Sequence, residues 1–254
     1  MTLLRSLLFQ LILIGSSLLY SLAILAFGSG DSGRRAPRLA RSWARVNLKA
    51  LKILCGLDYR VHGLEHLPTD NAIVLCKHQS AWEILALRAL LPPEQSWVLK
   101  QELIRIPVFG QALKRLSHIA IDRAAGRREI TRLIREGSAL LEGGHWVVIF
   151  PEGTRVAPGT QGSYNIGGAL LAERTGRPVV PIAHNAGVFW GRRSLVKRPG
   201  TIDLVIGPTI STQGRKATEI NTEVEHWIEQ TLQACSPEFK TPPSTRAPSD
   251  GNPR

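Results

Sequence analysis

Hydrophobic positions follow two periods along most of the chain, after an opening stretch that has neither. Residues 7–27 are apolar except for Gln10, Gly15, Ser16, Ser17, Tyr20 and Ser21. As a helix rising ~1.5 Å per residue they would extend ~31 Å, one hydrocarbon thickness. A secretory signal is the competing reading, since Arg5 precedes the run and residues 23–26 resemble a small-residue cleavage site. The run exceeds the ~7–15 residues of a signal's apolar region, which favours a retained anchor. Basic residues then recur at 38, 41, 45, 49 and 52 beside an apolar stripe of Leu39, Trp43, Val46, Ala50 and Leu54. That spacing predicts an amphipathic helix. Periodicity leaves open whether lipid or the protein core receives the stripe, and the Arg-rich face beside an anchor favours the bilayer surface.

From residue 57 onward, β-rich runs at 59–62, 72–76, 97–99, 119–121, 146–150, 179–182 and 202–206 are interleaved with helical patterns at 80–91, 108–116, 127–142, 167–174 and 217–234. The alternation predicts an α/β domain, expected as a mixed, mostly parallel sheet flanked by helices. Residues 236–254 carry five prolines and no period, as a disordered tail would. The expected organisation is therefore anchoring helices over 1–56, an α/β domain over 57–235 and a tail over 236–254.

Composition narrows the partners. A chain of 254 residues, 43% hydrophobic, can bury one sizeable core. Its formal charge of +12 asks for an anionic partner: nucleic acid, membrane surface or phosphorylated substrate. No zinc-finger or RRM motif is present and the densest basic run adjoins the apolar segment, so anionic membrane lipids are expected and nucleic acid is not. Arg34, Arg35, Arg38, Arg41, Arg45, Lys49 and Lys52 follow the apolar run, against Arg5 alone before it. The positive-inside bias then puts the rest of the chain on the cytoplasmic side of the inner membrane. Cys55, Cys76 and Cys235 are too scattered for a disulfide framework or zinc ribbon. His62 and His66 have helical ligand spacing, but Gly63 and Pro68 argue against a helix there, so no metal site is expected.

The candidate chemistry starts in "KHQSAWE", residues 77–83. His78 and Glu83 are five positions apart, which on one helix leaves them ~140° off a common face. They can meet only if His78 sits on the turn before the helix, with Ser80 as its N-cap. A carboxylate on one ring nitrogen would fix the tautomer and leave the other nitrogen to accept a substrate's hydroxyl proton. No G-x-S-x-G elbow supplies a protein nucleophile, and Cys76, ending an apolar run, suits a small core residue better. His184 reads as hydrogen-bonded structure rather than a second base.

Three more blocks follow in order: "IAIDR" at 119–123, "VVIFPEGTR" at 147–155 and "RPVVPIAHN" at 177–185. With "WVLKQEL" at 97–103, "IPVFG" at 106–110 and "VKRPGTI" at 196–202, the chain from about 59 to 208 resembles the glycerolipid acyltransferase family, in particular its bacterial 1-acyl-sn-glycerol-3-phosphate acyltransferases. The resemblance implies acyl transfer from a thioester, on acyl-CoA or acyl carrier protein, to the sn-2 hydroxyl of lysophosphatidic acid, giving phosphatidic acid without a cofactor. It implies that His78 is the base and Glu83 its orienting acid, where the family's usual residue is Asp. It implies that Lys100, Arg123, Glu152, Gly153, Thr154 and Arg155 bind the acceptor's phosphate and glycerol, and it links the surroundings of Pro181 to the acyl donor. Asn165 stands where bacterial relatives often carry Lys. The alternatives are an acyltransferase for another lysolipid, such as lyso-ornithine lipid or lysophosphatidylglycerol, and a non-catalytic protein binding anionic lipid.

Overall fold

Each of the seven β-rich runs is a strand in the computed structural model, which describes residues 1–28, 34–122 and 126–235. The strands are β1 (Leu57–His62), β2 (Ile73–Cys76), β3 (Gln95–Lys100), β4 (Ile119–Ile121), β5 (Trp146–Ile149), β6 (Val179–His184) and β7 (Gly200–Ile206). They form one sheet in the order β1-β7-β6-β2-β5-β3-β4. All neighbours are parallel except β6 and β7, which pair Ile182 with Ile206 and His184 with Leu204 in antiparallel sense. The expected mixed, mostly parallel sheet is the fold observed.

The centre of the sheet is covered on both faces, as continuous apolar strands require. Val74, Cys76, Trp146, Val148, Val180 and Ile182 face one core. Ile73, Leu75, Val147, Ile149 and Val179 face the other. Helices α3 (Trp82–Leu90) and α2 (Arg35–Cys55) build the first core. Helices α6 (Arg127–Glu142), α7 (Gly167–Thr175) and α9 (Ala217–Cys235) build the second. Two short helices, α4 (Gln101–Ile104) and α8 (Ala186–Phe189), were not predicted; α5 (Phe109–Arg115) was. Pro181 is tolerated within β6 because the donor it lacks falls beyond the end of the β7 pairing, where its carbonyl accepts the Gly207 N–H.

The first helix, α1 (Thr2–Phe27), is long and apolar enough to cross a membrane, and Leu4, Leu11, Ile14 and Leu19 on its outer face are exposed. Its other face is docked on the protein. Phe9 is fully buried, edge-on to Trp190 at 5.6 Å. The buried Lys197 ammonium sits over both rings and donates to Gln10 Oε1 at 2.9 Å, while its backbone N–H donates to Ser6 Oγ at 2.9 Å. Ser16 and the fully buried Asn47 exchange hydrogen bonds between α1 and α2 at 3.0 and 3.1 Å.

Helix α2 forms where predicted, but the protein core and not the bilayer surface receives most of its apolar stripe, since Trp43, Ala50 and Leu54 pack against the first core, and the face it buries is offset. Ala36, Ala40, Ala44, Leu48, Leu51 and Cys55 are buried, whereas Trp43, Ala50 and Leu54 are half-buried and Val46 is exposed. Small side chains let the two helix backbones approach closely, and a reading that counts bulky residues misses such a seam. Since α1 shares the core of the α/β body, Phe9→Ala should lower that body's stability by about 3–5 kcal/mol. Denaturant unfolding in detergent, followed by tryptophan fluorescence, measures this; a wild-type midpoint would mean that α1 does not dock.

Candidate active site

The parallel strands β2, β5 and β3 are neighbours, so their carboxyl ends lie side by side, the usual position for ligand sites in such sheets. His78 follows β2, the segment from Phe150 to Arg155 follows β5, and Lys100 ends β3. The blocks singled out in the sequence therefore converge. His78 stacks on Phe150 with centroids 4.1 Å apart. Its N–H donates to Glu152 Oε2 at 2.8 Å, and its carbonyl accepts the Val156 N–H at 2.8 Å.

His78 sits on the turn before α3, as the five-residue spacing demanded, and its Nδ1 lies 2.7 Å from Glu83 Oε1. The same oxygen accepts the backbone N–H groups of Gln79 at 2.9 Å and Ser80 at 2.8 Å. The cap differs in detail. Ala81 is the N-cap, while Ser80 Oγ accepts the Trp82 N–H at 3.2 Å and Glu83 reaches back to the Ser80 N–H. The S-x-x-E spelling of residues 80–83 was the available signal, although the hydroxyl bonds the residue two ahead and not the third one that a full capping box requires. One carboxylate thus holds the turn into the helix and orients the imidazole.

Glu83 is completely buried. Burial opposes its charge, but the imidazoles of His184 and His78 and the Ser80 N–H outweigh that and hold its carboxyl below the ordinary value. Burial lowers the pKa of His184, with Glu83 opposing. Its Nε2–H donates to the Lys77 carbonyl at 2.9 Å and its Nδ1 accepts the Ala186 N–H at 3.2 Å. Both nitrogens are occupied, as expected of a structural histidine. On His78, Nδ1–H belongs to the carboxylate. Among the described residues Nε2 has no partner, and His78 lines a cavity of about 440 Å³.

That cavity has a basic rim and a mostly apolar interior, which the buried Arg88 also lines. Lys100, Thr154, Arg192 and Arg193 are exposed lining residues, joined by the half-buried Gly153 and Arg155. Inside, Ile24 of α1, Ala40 of α2 and Ala112 of α5 are buried lining residues together with Leu116, and Trp43 and Tyr20 complete that wall. Gly153 has φ +68°, where a side chain would be strained, so glycine allows the chain to turn back beneath His78.

Of the expected binding residues, Lys100, Gly153, Thr154 and Arg155 share the cavity with His78. Glu152 turns inward instead. Its side chain is fully buried, 2.7 Å from the Lys77 ammonium, and its other oxygen holds the His78 N–H. Burial pushes its carboxyl above the ordinary value, with Lys77 opposing. Arg123 lies outside the described residues. Asn165 binds the Pro151 carbonyl through both its side-chain and backbone N–H, at 2.9 and 2.8 Å, and so tethers the β5 loop. Arg192 and Arg193 were missed. Their adjacent spelling after Trp190-Gly191 was the available signal, but only the fold carries that loop back to the cavity.

A sequence model of the family described as Acyltransferase matches residues 58–185. A 1-acyl-sn-glycerol-3-phosphate acyltransferase of Pseudomonas aeruginosa is 41% identical over 202 residues, covering 78% of each chain. A protein of the same name from Cocos nucifera is 29% identical over 74% of this chain and 61% of the relative. The crystal structure of the 1-acyl-sn-glycerophosphate (LPA) acyltransferase PlsC from Thermotoga maritima superposes with a TM-score of 0.77, over 96% of this chain and 98% of the other. At 21% identity that likeness is one of fold.

The lowered pKa of Glu83 has a consequence for stability. The unfolded chain binds this proton more readily, so the group's contribution is complete above the ordinary carboxylate pKa and lost as pH falls through the depressed folded value. Glu83→Gln should therefore be less stable than wild type at neutral pH and approach it in acid. Denaturation midpoints from neutral pH down to about pH 3 test this, and parallel curves would remove the linkage.

Proposed function

Because the chain belongs to the acyltransferase family, we propose that it transfers a fatty acyl group from a thioester, on coenzyme A or acyl carrier protein, to the sn-2 hydroxyl of 1-acyl-sn-glycerol 3-phosphate. The products are phosphatidic acid and a free thiol. One observation carries the reading: an imidazole held by a buried carboxylate lines a cavity that is basic at the rim and mostly apolar within.

In this reaction Nε2 of His78 takes the proton of the acceptor hydroxyl as its oxygen attacks the thioester carbonyl. Glu83 keeps the proton on Nδ1, so Nε2 is the basic nitrogen, and it offsets the positive charge that forms on the ring. Collapse of the tetrahedral adduct breaks the C–S bond, and the departing thiolate recovers the proton from Nε2. No enzyme nucleophile is needed, because a thioester is already activated and the site's task is to hold two reactants in register. Guanidinium forks suit the acceptor's phosphate, and Arg155, Arg192 and Arg193 with Lys100 are the lining cations assigned to it. Gly153 and Thr154 border the glycerol, and Glu152 serves binding indirectly by fixing the His78 turn. The buried apolar lining accommodates an acyl chain.

Residues 1–56 act as the membrane-anchoring segment and residues 57–235 as the acyltransferase domain, facing the cytoplasm at the inner membrane. The basic residues of α2 meet anionic lipid headgroups there. The purified protein, given lysophosphatidic acid and an acyl thioester, should form phosphatidic acid. His78→Ala should lower kcat by about 10²–10⁴-fold. Equal turnover by the variant would remove His78 as the base, and consumption of a different lysolipid in place of lysophosphatidic acid would move the acceptor. Arg192→Ala and Arg193→Ala should raise the KM for the acceptor more than they lower kcat, as loss of ground-state binding does. An unchanged KM in both would free that loop of the phosphate.

A further inference from the structure

We infer that Glu229, on the C-terminal helix α9, is a positioning residue for the base His78, acting through Lys77 and Glu152. The inference rests on the reading of His78 given above. Glu229 lies outside the residues 58–185 that the family model matches, yet its side chain reaches the residue before the base. Lys77 has no exposed surface, and its Nζ lies 2.7 Å from Glu152 Oε1 and 2.7 Å from Glu229 Oε1. Tyr164 donates its hydroxyl proton to the same Glu229 oxygen at 2.9 Å. The second oxygen of Glu152 accepts the His78 N–H at 2.8 Å. An unbroken series of polar contacts thus leads from α9, on one face of the sheet, to the main chain of the base at the strand ends.

A buried ammonium needs anionic partners, and removing one leaves charge that the protein must re-satisfy. Glu152 is divided between two tasks, one oxygen on Lys77 and one on His78. If Glu229 is lost, Lys77 has one carboxylate left, and any shift toward it or toward entering water rotates Glu152 away from the His78 N–H. His78 is held by Glu83 at Nδ1, by Phe150 against its ring, and at its backbone by the Val156 N–H and by Glu152, which alone holds the His78 N–H. Releasing that N–H loosens the main chain of the base and shifts Nε2 while Lys100 and the cavity arginines stay where they are. The network therefore affects turnover rather than acceptor binding. If it served only to hold α9 on the sheet, its loss would lower stability and nothing else.

The test uses the full chain in detergent or vesicles. Glu229→Ala should lower kcat by about 10- to 100-fold, the cost of a misplacement near 1 Å, with the KM for lysophosphatidic acid within about twofold of wild type. Glu229→Gln keeps an oxygen for Lys77 and Tyr164 and should recover most of the rate. Hydrogen exchange over residues 77–80 should quicken in Glu229→Ala and not in Glu229→Gln. A wild-type kcat and exchange rate in Glu229→Ala, with only the melting temperature lowered, would overturn the inference. Should Glu229→Ala fail to fold, Tyr164→Phe is read instead: a kcat a few-fold below wild type at unchanged KM supports the network, and an unaltered kcat refutes it. A wild-type protein that makes no phosphatidic acid would count against the proposed function, whereas the exchange measurement still decides this inference.

Discussion

A carboxylate with no exposed surface is costly unless its charge is distributed, and Glu83 distributes it over one imidazole N–H and two backbone N–H groups on a single oxygen. Those three bonds hold the turn from β2 into α3 and the ring of His78 in one arrangement. Local folding and catalytic orientation are consequently the same interaction. The glutamate that replaces the family's usual aspartate suits this duty, because its position four residues after Gln79 and three after Ser80 lets it close back on the helix entry. The additional methylene does not prevent the 2.7 Å contact with Nδ1.

The sheet contributes what no local segment can. His78, Phe150 and Lys100 are far apart in the chain but follow or end strands that adjoin in the order β2-β5-β3. Strands running the same way release their loops at one edge, so parallel pairing alone gathers the first and third blocks. The glycine at +68° and the Asn165 tether then bend the β5 loop beneath the imidazole. Glu152 secures that loop to the base from below while Thr154 and Arg155 continue into the cavity.

How much of this was legible in the sequence depends on how local each cause is. β-rich runs bounded by turns located all seven strands, because burial leaves a compositional trace even in three to seven residues. The His78–Glu83 contact was legible for the same reason: it spans one turn. Residues whose roles depend on distant neighbours were read less well. Glu152 looked like a ligand contact beside Arg155, but a buried lysine holds it inward. Arg192 and Arg193 were not singled out because nothing within their loop marks its return to the cavity. In α2 the bulky stripe was visible, whereas the alanine seam that packs against α1 was not, since small residues carry little hydrophobic signal.

The N-terminal helices also help to form the cavity. Tyr20 and Ile24 of α1 and Ala40 and Trp43 of α2 line the same cavity as His78, so the helix that is apolar enough to enter a bilayer is also a wall of the chemical compartment. Exposing an acyl chain to water costs about 0.8 kcal/mol per methylene, so even ten methylenes crossing an aqueous gap would add a barrier comparable to much of a catalytic rate enhancement. A site separated from the membrane by a flexible linker would meet that barrier on every turnover. Here the exposed leucines of α1 and its cavity-lining Tyr20 and Ile24 belong to one helix, so the outer apolar surface lies one helix thickness from the compartment. The docking of Phe9 and Lys197 that holds α1 against the body therefore also holds one wall of the cavity in place.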